Sequence, residues 1–143
     1  IKILKMKELS CMQHNSESAL SKYRLELAKE ELEIAEMLLG AKKYLKALNS
    51  SYYAIFHATR ALLALDTFDS KKHSGIISFF IRNYIKTGKL PEEFGKIIVK
   101  AEQIRNDSDY KDFYIVPAEL AERQIEDARK FFDAIEGLIV GLA

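Results

Sequence analysis

A chain of 143 residues, 48% apolar and 30% charged with a net charge of +1, is one domain with enough length for a real core. This is the composition of an ordinary globular protein. The single Cys11 excludes an internal disulfide and fits a reducing cytoplasm, and Ile1 to Lys7 is too short a basic-apolar run for a signal peptide.

Residues 1–16 show no sustained periodicity, and His14-Asn15-Ser16 reads as a breaker, so a frayed tail is expected before a domain over 17–143. From Glu17 to Leu39 the pattern is helical. Ala28, Leu32, Ala35 and Leu39 form one apolar stripe, Glu26, Glu30, Glu33 and Glu36 lie largely opposite, and Gly40 is a plausible C-cap. After a very short turn comes the stretch around which the chain is organised, residues 44–65. Lys46 and Arg60 are its only full charges, so it must be covered on nearly every side. Asn49, Ser50, Ser51, His57 and Arg60 interrupt it too often for a membrane span. Ala54, Ala58 and Ala61 would let a neighbouring helix approach closely.

A break at residues 66–70 precedes a third helix over 71–86. Asp69 or Ser70 caps it, Ile76, Ile77, Phe80 and Tyr84 line one side, and Gly88 closes it. Pro91, followed by Glu92 and Glu93, opens a fourth helix with Phe94, Ile97, Ala101, Ile104 and Ser108 inward. Near Tyr110 the pattern dissolves. Pro117 then starts the last helix, with Ala121, Ile125, Ala128, Phe132, Ile135 and Ile139 at alternating steps of four and three. The expected fold is all-α, an up-and-down antiparallel bundle of four or five helices. Charge is divided along it: residues 67–100 carry seven Lys/Arg against three Asp/Glu, and residues 101–136 five against ten. Such a division suits self-association or a charged partner, as well as plain solvated faces.

No metal-ligand spacing, phosphate loop or nucleophile elbow is present, and no cofactor is implied. Two polar groups remain. Tyr53, His57 and Arg60 share one face of the central helix, either as a proton-handling or binding cluster or as a packed, hydrogen-bonded histidine. Arg105, Asn106, Asp107, Ser108 and Asp109, followed by Tyr110, are polar where an apolar face should continue. Arg105 and Asp109 can pair across one turn. The structural alternative buries the Tyr110 ring as an anchor for the loop.

The run of Ala47, Tyr53-Ala54, Phe56-His57-Ala58 and Ala61-Leu62-Leu63, then Lys72-His73-Ser74-Gly75 and a late Arg105 with Asp109-Tyr110, resembles the HEPN superfamily over residues 22–136. The resemblance is to its small stand-alone prokaryotic members. It implies a helical homodimer with a cleft at the two-fold axis. In many members it also implies metal-independent ribonuclease activity, and in several a nucleotidyltransferase partner in a toxin–antitoxin pair. The family signature is Arg, a polar residue such as Asn, and a His five to seven positions after the Arg. Arg105-Asn106 matches the opening, but Tyr110, Lys111 and Asp112 stand where the His belongs.

Metal-free RNA cleavage needs a base for the 2′-hydroxyl, an acid for the leaving oxygen and a cation for the phosphate. Arg105 supplies the cation and Asp109 a proton acceptor. His57 or His73 replaces the missing His only if the fold brings it to Arg105. Three readings follow: a dimer that binds nucleotide or RNA, a toxin-type ribonuclease using Arg105, Asn106 and Asp109, and a ligand-free interaction scaffold. Tyr53, His57, Arg60, His73 and Tyr110 are the candidate binding residues.

Overall fold

A computed structural model describes residues 2–142, and side chains from Asn15 to Leu142; the side chains of Cys11 and His14, and Ile1 and Ala143 entirely, lie outside the described residues. The chain is all helical, and no strand occurs among the described residues. Five helices follow one another: α1 (Lys2–Gly40), α2 (Tyr44–Ala64), α3 (His73–Phe80), α4 (Glu92–Tyr110) and α5 (Ala118–Leu142). None is long and apolar enough, among the described residues, to cross a membrane.

Three boundaries depart from the sequence reading. Helix α1 starts at Lys2 rather than Glu17, so the chain is helical through His14-Asn15-Ser16. None of those three is Gly or Pro, and their helix penalty is only a few tenths of a kcal/mol each, or about 0.5. The third helix begins at His73, and after Phe80 it widens into a π-helical turn, Ile81–Ile85, in which Lys86 N–H reaches the Ile81 carbonyl. Gly88 then ends it in the left-handed region, at φ 77°.

Gly40 is not the left-handed cap of α1; Lys42 is, at φ 61°. Lys42 N–H bonds the Leu39 carbonyl and Lys43 N–H the Leu38 carbonyl, the paired bonds of a Schellman end centred two residues later than the glycine. The turn between α1 and α2 is therefore three residues long, and the two helices pack extensively against each other.

Helix α2 contacts all four other helices. Ala47, Leu48, Tyr52, Ala54, Ile55, Phe56, Ala58, Ala61, Leu62 and Leu63 are all buried. The alanines do what the spacing predicts: at 54, 58 and 61 each is fully covered. The predicted inner faces of the third and fifth helices are buried at every position named. Phe131 joins them, between Phe80 of α3 and Phe94 of α4. Helix α4 is rotated slightly from expectation. Phe94, Gly95, Ile98 and Ala101 are buried, whereas Ile97, Ile104 and Ser108 are half-covered. Gly95 explains the turn, because its missing side chain admits Ile85.

The left-handed backbone at Lys42 costs a non-glycine residue about 1 kcal/mol. Lys42→Gly should therefore raise the urea midpoint by an amount corresponding to about 0.5–1 kcal/mol, and Gly40→Ala should not lower it by that much. A destabilised Lys42→Gly protein would contradict the assigned cap.

Candidate functional site

The centre of the site is His73, the first residue of α3. Gly75 lets Ser70 pack directly on this first turn, because a Cβ there would collide with the Ser70 hydroxyl. The loop is fixed further back by Asp69. Its carboxylate accepts Arg60 Nη2 at 2.9 and 3.0 Å, Arg24 Nη2 at 3.2 Å and the Ser70 N–H at 2.8 Å. One carboxylate thus ties α1, α2 and the loop together. Burial pushes the Asp69 pKa up, but the Arg60 bond, the Ser70 N–H and the charges of Arg60 and Arg24 outweigh it and hold it below the usual range. The expected cap does not form: α3 starts at His73 behind Lys72 with no side-chain cap, Ser70 Oγ takes the Lys72 N–H ahead of the helix, and Asp69 serves the arginines and its neighbour's N–H.

Against the His73 ring lie three aromatic residues of α2. Phe56 stacks on it at 4.0 Å, and Tyr53 meets it edge-on at 6.2 Å. Tyr52, fully buried, brings its hydroxyl to His73 Nδ1 at 2.8 Å. Arg105 of α4 reaches the same nitrogen, Nη1 to Nδ1, at 3.0 Å. Its Cζ sits 5.2 Å from the Tyr52 ring centre and 5.6 Å from that of Tyr53, within cation–π range. A guanidinium can only donate, so Nδ1 must be the accepting, unprotonated nitrogen, and the neutral ring carries its proton on Nε2. Burial, then the positive charges of Arg105 and Arg60, lower the His73 pKa.

The sequence candidates therefore separate. Arg105 and His73, 32 residues apart, meet. Asp109 stays by Arg105, with its Oδ2 3.7 Å from Nε, a loose pair at the edge of the site. Tyr53 forms part of the wall. His57 lies one turn beyond it, 6.0 Å ring to ring, and makes no bond to Arg105. Its Nδ1 is buried without a hydrogen-bond partner among the described residues; burial, Arg60, Arg24 and His73 together lower its pKa. Arg60 turns to Asp69 rather than to His57. Asn106 is exposed. Tyr110 is 85% exposed, so its ring does not anchor the loop. Tyr52, Phe56, Asp69 and Arg24 were not singled out by the sequence reading as site residues. Phe56 left a signal as part of the run that carries the family resemblance, and Asp69 as a cap candidate before the third helix.

Phe56, Arg60, Asp69, Ser70, Lys71 and His73 line an open depression of about 650 Å³. Its cationic side chains, Arg60 and Lys71, face one carboxylate that is already saturated. The arrangement suits an anion. Among the described residues no three His, Cys, Asp or Glu side chains gather as a metal site would need.

A family model described as HEPN domain matches residues 21–138. A UPF0332 protein of Thermotoga maritima is 34% identical over 90% of this chain and 97% of its own length. The protein named "Putative toxin MJ0605" of Methanocaldococcus jannaschii is 37% identical over 78% of this chain and 83% of its own. "Putative toxin MJ0142" of the same organism is 29% identical over 81% and 79%.

Both half-buried histidines have folded pKa values below the ordinary 6.5, so the unfolded chain binds more protons as the pH falls through that value. Their contribution is fully present above 6.5 and is lost below it. The urea midpoint should drop between pH 7.5 and 5.5, and a His57→Gln/His73→Gln protein should show a shallower drop. An equal slope in both proteins would contradict the lowered values.

Proposed function

The chain belongs to the HEPN domain family, and from that premise we propose that it is a toxin-type member that binds RNA or nucleotide phosphate at the Arg105–His73 site. The observation that carries this reading is the Arg105 Nη1–His73 Nδ1 contact beside a depression lined by Arg60 and Lys71. Phosphate oxygens are best held by charge-assisted N–H donors, and Arg105, Lys71 and the Nε2–H of His73 are donors. A binding role ranks first because the basic nitrogen of His73 is already occupied. The Tyr52 hydroxyl, its pKa pushed up to about 12 chiefly by burial, is a donor and not a base. In this reading the protein is a homodimer that doubles Arg105 across a two-fold cleft, works in the cytoplasm and pairs with a nucleotidyltransferase. Family membership supports the first and last of these, and the lone cysteine the second.

A second reading, a metal-independent ribonuclease, is favoured by one specific observation. His73 stands at Arg105, where the local sequence lacks its histidine. Cleavage would require Arg105 to leave His73 for the phosphate and the Tyr52 hydroxyl to release Nδ1 as well, whose lone pair would then take the 2′-hydroxyl proton.

Fluorescence anisotropy with a labelled single-stranded RNA, wild type beside Arg105→Ala, tests the binding reading. Removing a charged phosphate contact should weaken binding at least about tenfold and flatten the salt dependence, with the melting temperature nearly unchanged. Equal affinity in both proteins, or a large loss of stability with binding intact, would return the polar cluster to a structural role. Incubation with a tRNA and mRNA pool in EDTA decides the second reading: cleavage by wild type alone establishes the ribonuclease.

A further inference from the structure

The phosphate-binding reading depends on which edge of His73 carries the proton. With hydrogen on Nε2, the ring offers a donor to an anion in the depression. With hydrogen on Nδ1, it offers a lone pair, which repels phosphate oxygen. The difference between binding and repulsion is one proton on one ring.

Two donors reach Nδ1, and they are not equivalent. Arg105 is partly exposed, has Asp109 as a second partner and is the cation that a ligand phosphate would engage. Tyr52 is 0% exposed. Its ring is packed edge-on against Tyr53 at 5.3 Å and stacked near Phe56 at 5.9 Å. Its hydroxyl is held at 2.8 Å from His73 Nδ1 with the Arg105 guanidinium beside it, and a hydroxyl left unpaired at that depth would be costly.

We propose that Tyr52 is the positioning residue of this site: its buried hydroxyl keeps the His73 proton on Nε2, including when Arg105 has turned toward a ligand. The consequence for ligand choice rests on the phosphate-binding reading above. The tautomer itself does not. Arg105 reinforces the same tautomer while it stays, and Tyr52 retains it when Arg105 leaves. A hydroxyl can also accept, so Tyr52 keeps hold of the ring if Nδ1 becomes protonated, which a guanidinium cannot do. The other charged groups around the ring are Arg60, across the depression, and His57 beyond Tyr53. Neither has a bond to Nδ1. Tyr52 is thus the fixed partner of His73 and Arg105 the movable one.

The test uses the full chain labelled with nitrogen-15, and reads the His73 tautomer at pH 7.5 from its ring nitrogen shifts. Wild type and Arg105→Ala should both show the Nε2–H form alone, and Arg105→Ala/Tyr52→Phe a mixture. A mixture already present in Arg105→Ala, or a single Nε2–H form in the double variant, overturns the proposal. In RNA anisotropy, Tyr52→Phe should weaken binding about fivefold, the worth of one hydrogen bond. The loss should vanish in a His73→Gln background, where the amide nitrogen stands in for Nε2–H whatever Tyr52 does. Persistence of the full loss in His73→Gln would mean that Tyr52 acts through packing, and would also overturn the proposal. If no variant and no wild type binds RNA, the functional reading fails, while the nitrogen shifts still decide the role of Tyr52.

Discussion

Helix α2 has almost no free face, and that constraint organises the molecule. A helix buried this completely cannot leave its polar side chains to water. Most find a partner inside the protein or bend back to the helix backbone, with His57 Nδ1 and Arg60 Nε as the exceptions among the described residues. Ser51 and Thr59 bend back, to the Leu48 and Ile55 carbonyls. Gln124 of α5 reaches over to the Leu48 carbonyl and the Ser51 hydroxyl, joining two helices through a buried polar contact. Tyr52 and Arg60 have longer side chains and find partners outside the helix, in His73 and Asp69. The candidate site is therefore where the polar obligations of the central helix are met by the segment that follows it.

Asp69 carries the mechanical part of that arrangement. Two arginines from different helices converge on it, and the loop folds back so that its own next N–H also reaches the carboxylate. The following two turns of chain then have little choice of direction. Ser70 lies under Gly75, and the first residue of α3 points into the aromatic wall of α2. Arg105 arrives from the far end of α4 and completes the group. Asp69 itself makes no hydrogen bond to His73; it fixes the loop from which His73 projects. That separation of duties keeps the cation-rich side of the depression open, since the one carboxylate on its rim is already neutralised.

The helices were legible because their signal is local and repetitive. Ala121, Ile125, Ala128, Phe132, Ile135 and Ile139 declare one face by spacing alone, and all six are buried. The start of α1 was misjudged because three polar residues weaken a helix pattern without breaking the helix. The cap at Lys42 was misjudged because glycine is the better left-handed residue, and the chain here places its turn two positions later. The site was only half legible. Arg105 stood out as a charge on an inward face, and His73 as one of three histidines, but nothing local states that residues 32 apart share a nitrogen. Tyr52 and Tyr53 are 100° apart on one helix. Which of them meets His73 is decided by how α3 lies across α2, a tertiary fact that neither residue type nor spacing encodes.

The three-residue turn between α1 and α2 also has a consequence in time. The entropy of closing a loop grows with its length, so this hairpin is the least costly of the long contacts to form. Arg24 and Arg60, one on each arm, are thereby brought together before the chain beyond residue 64 has any required position. Asp69 needs only a few more residues to reach them, and His73 four more again. Arg105 must wait for α4. On loop-closure entropy alone the scaffold would form ahead of the site, with Arg105, the member most distant in sequence, joining it last.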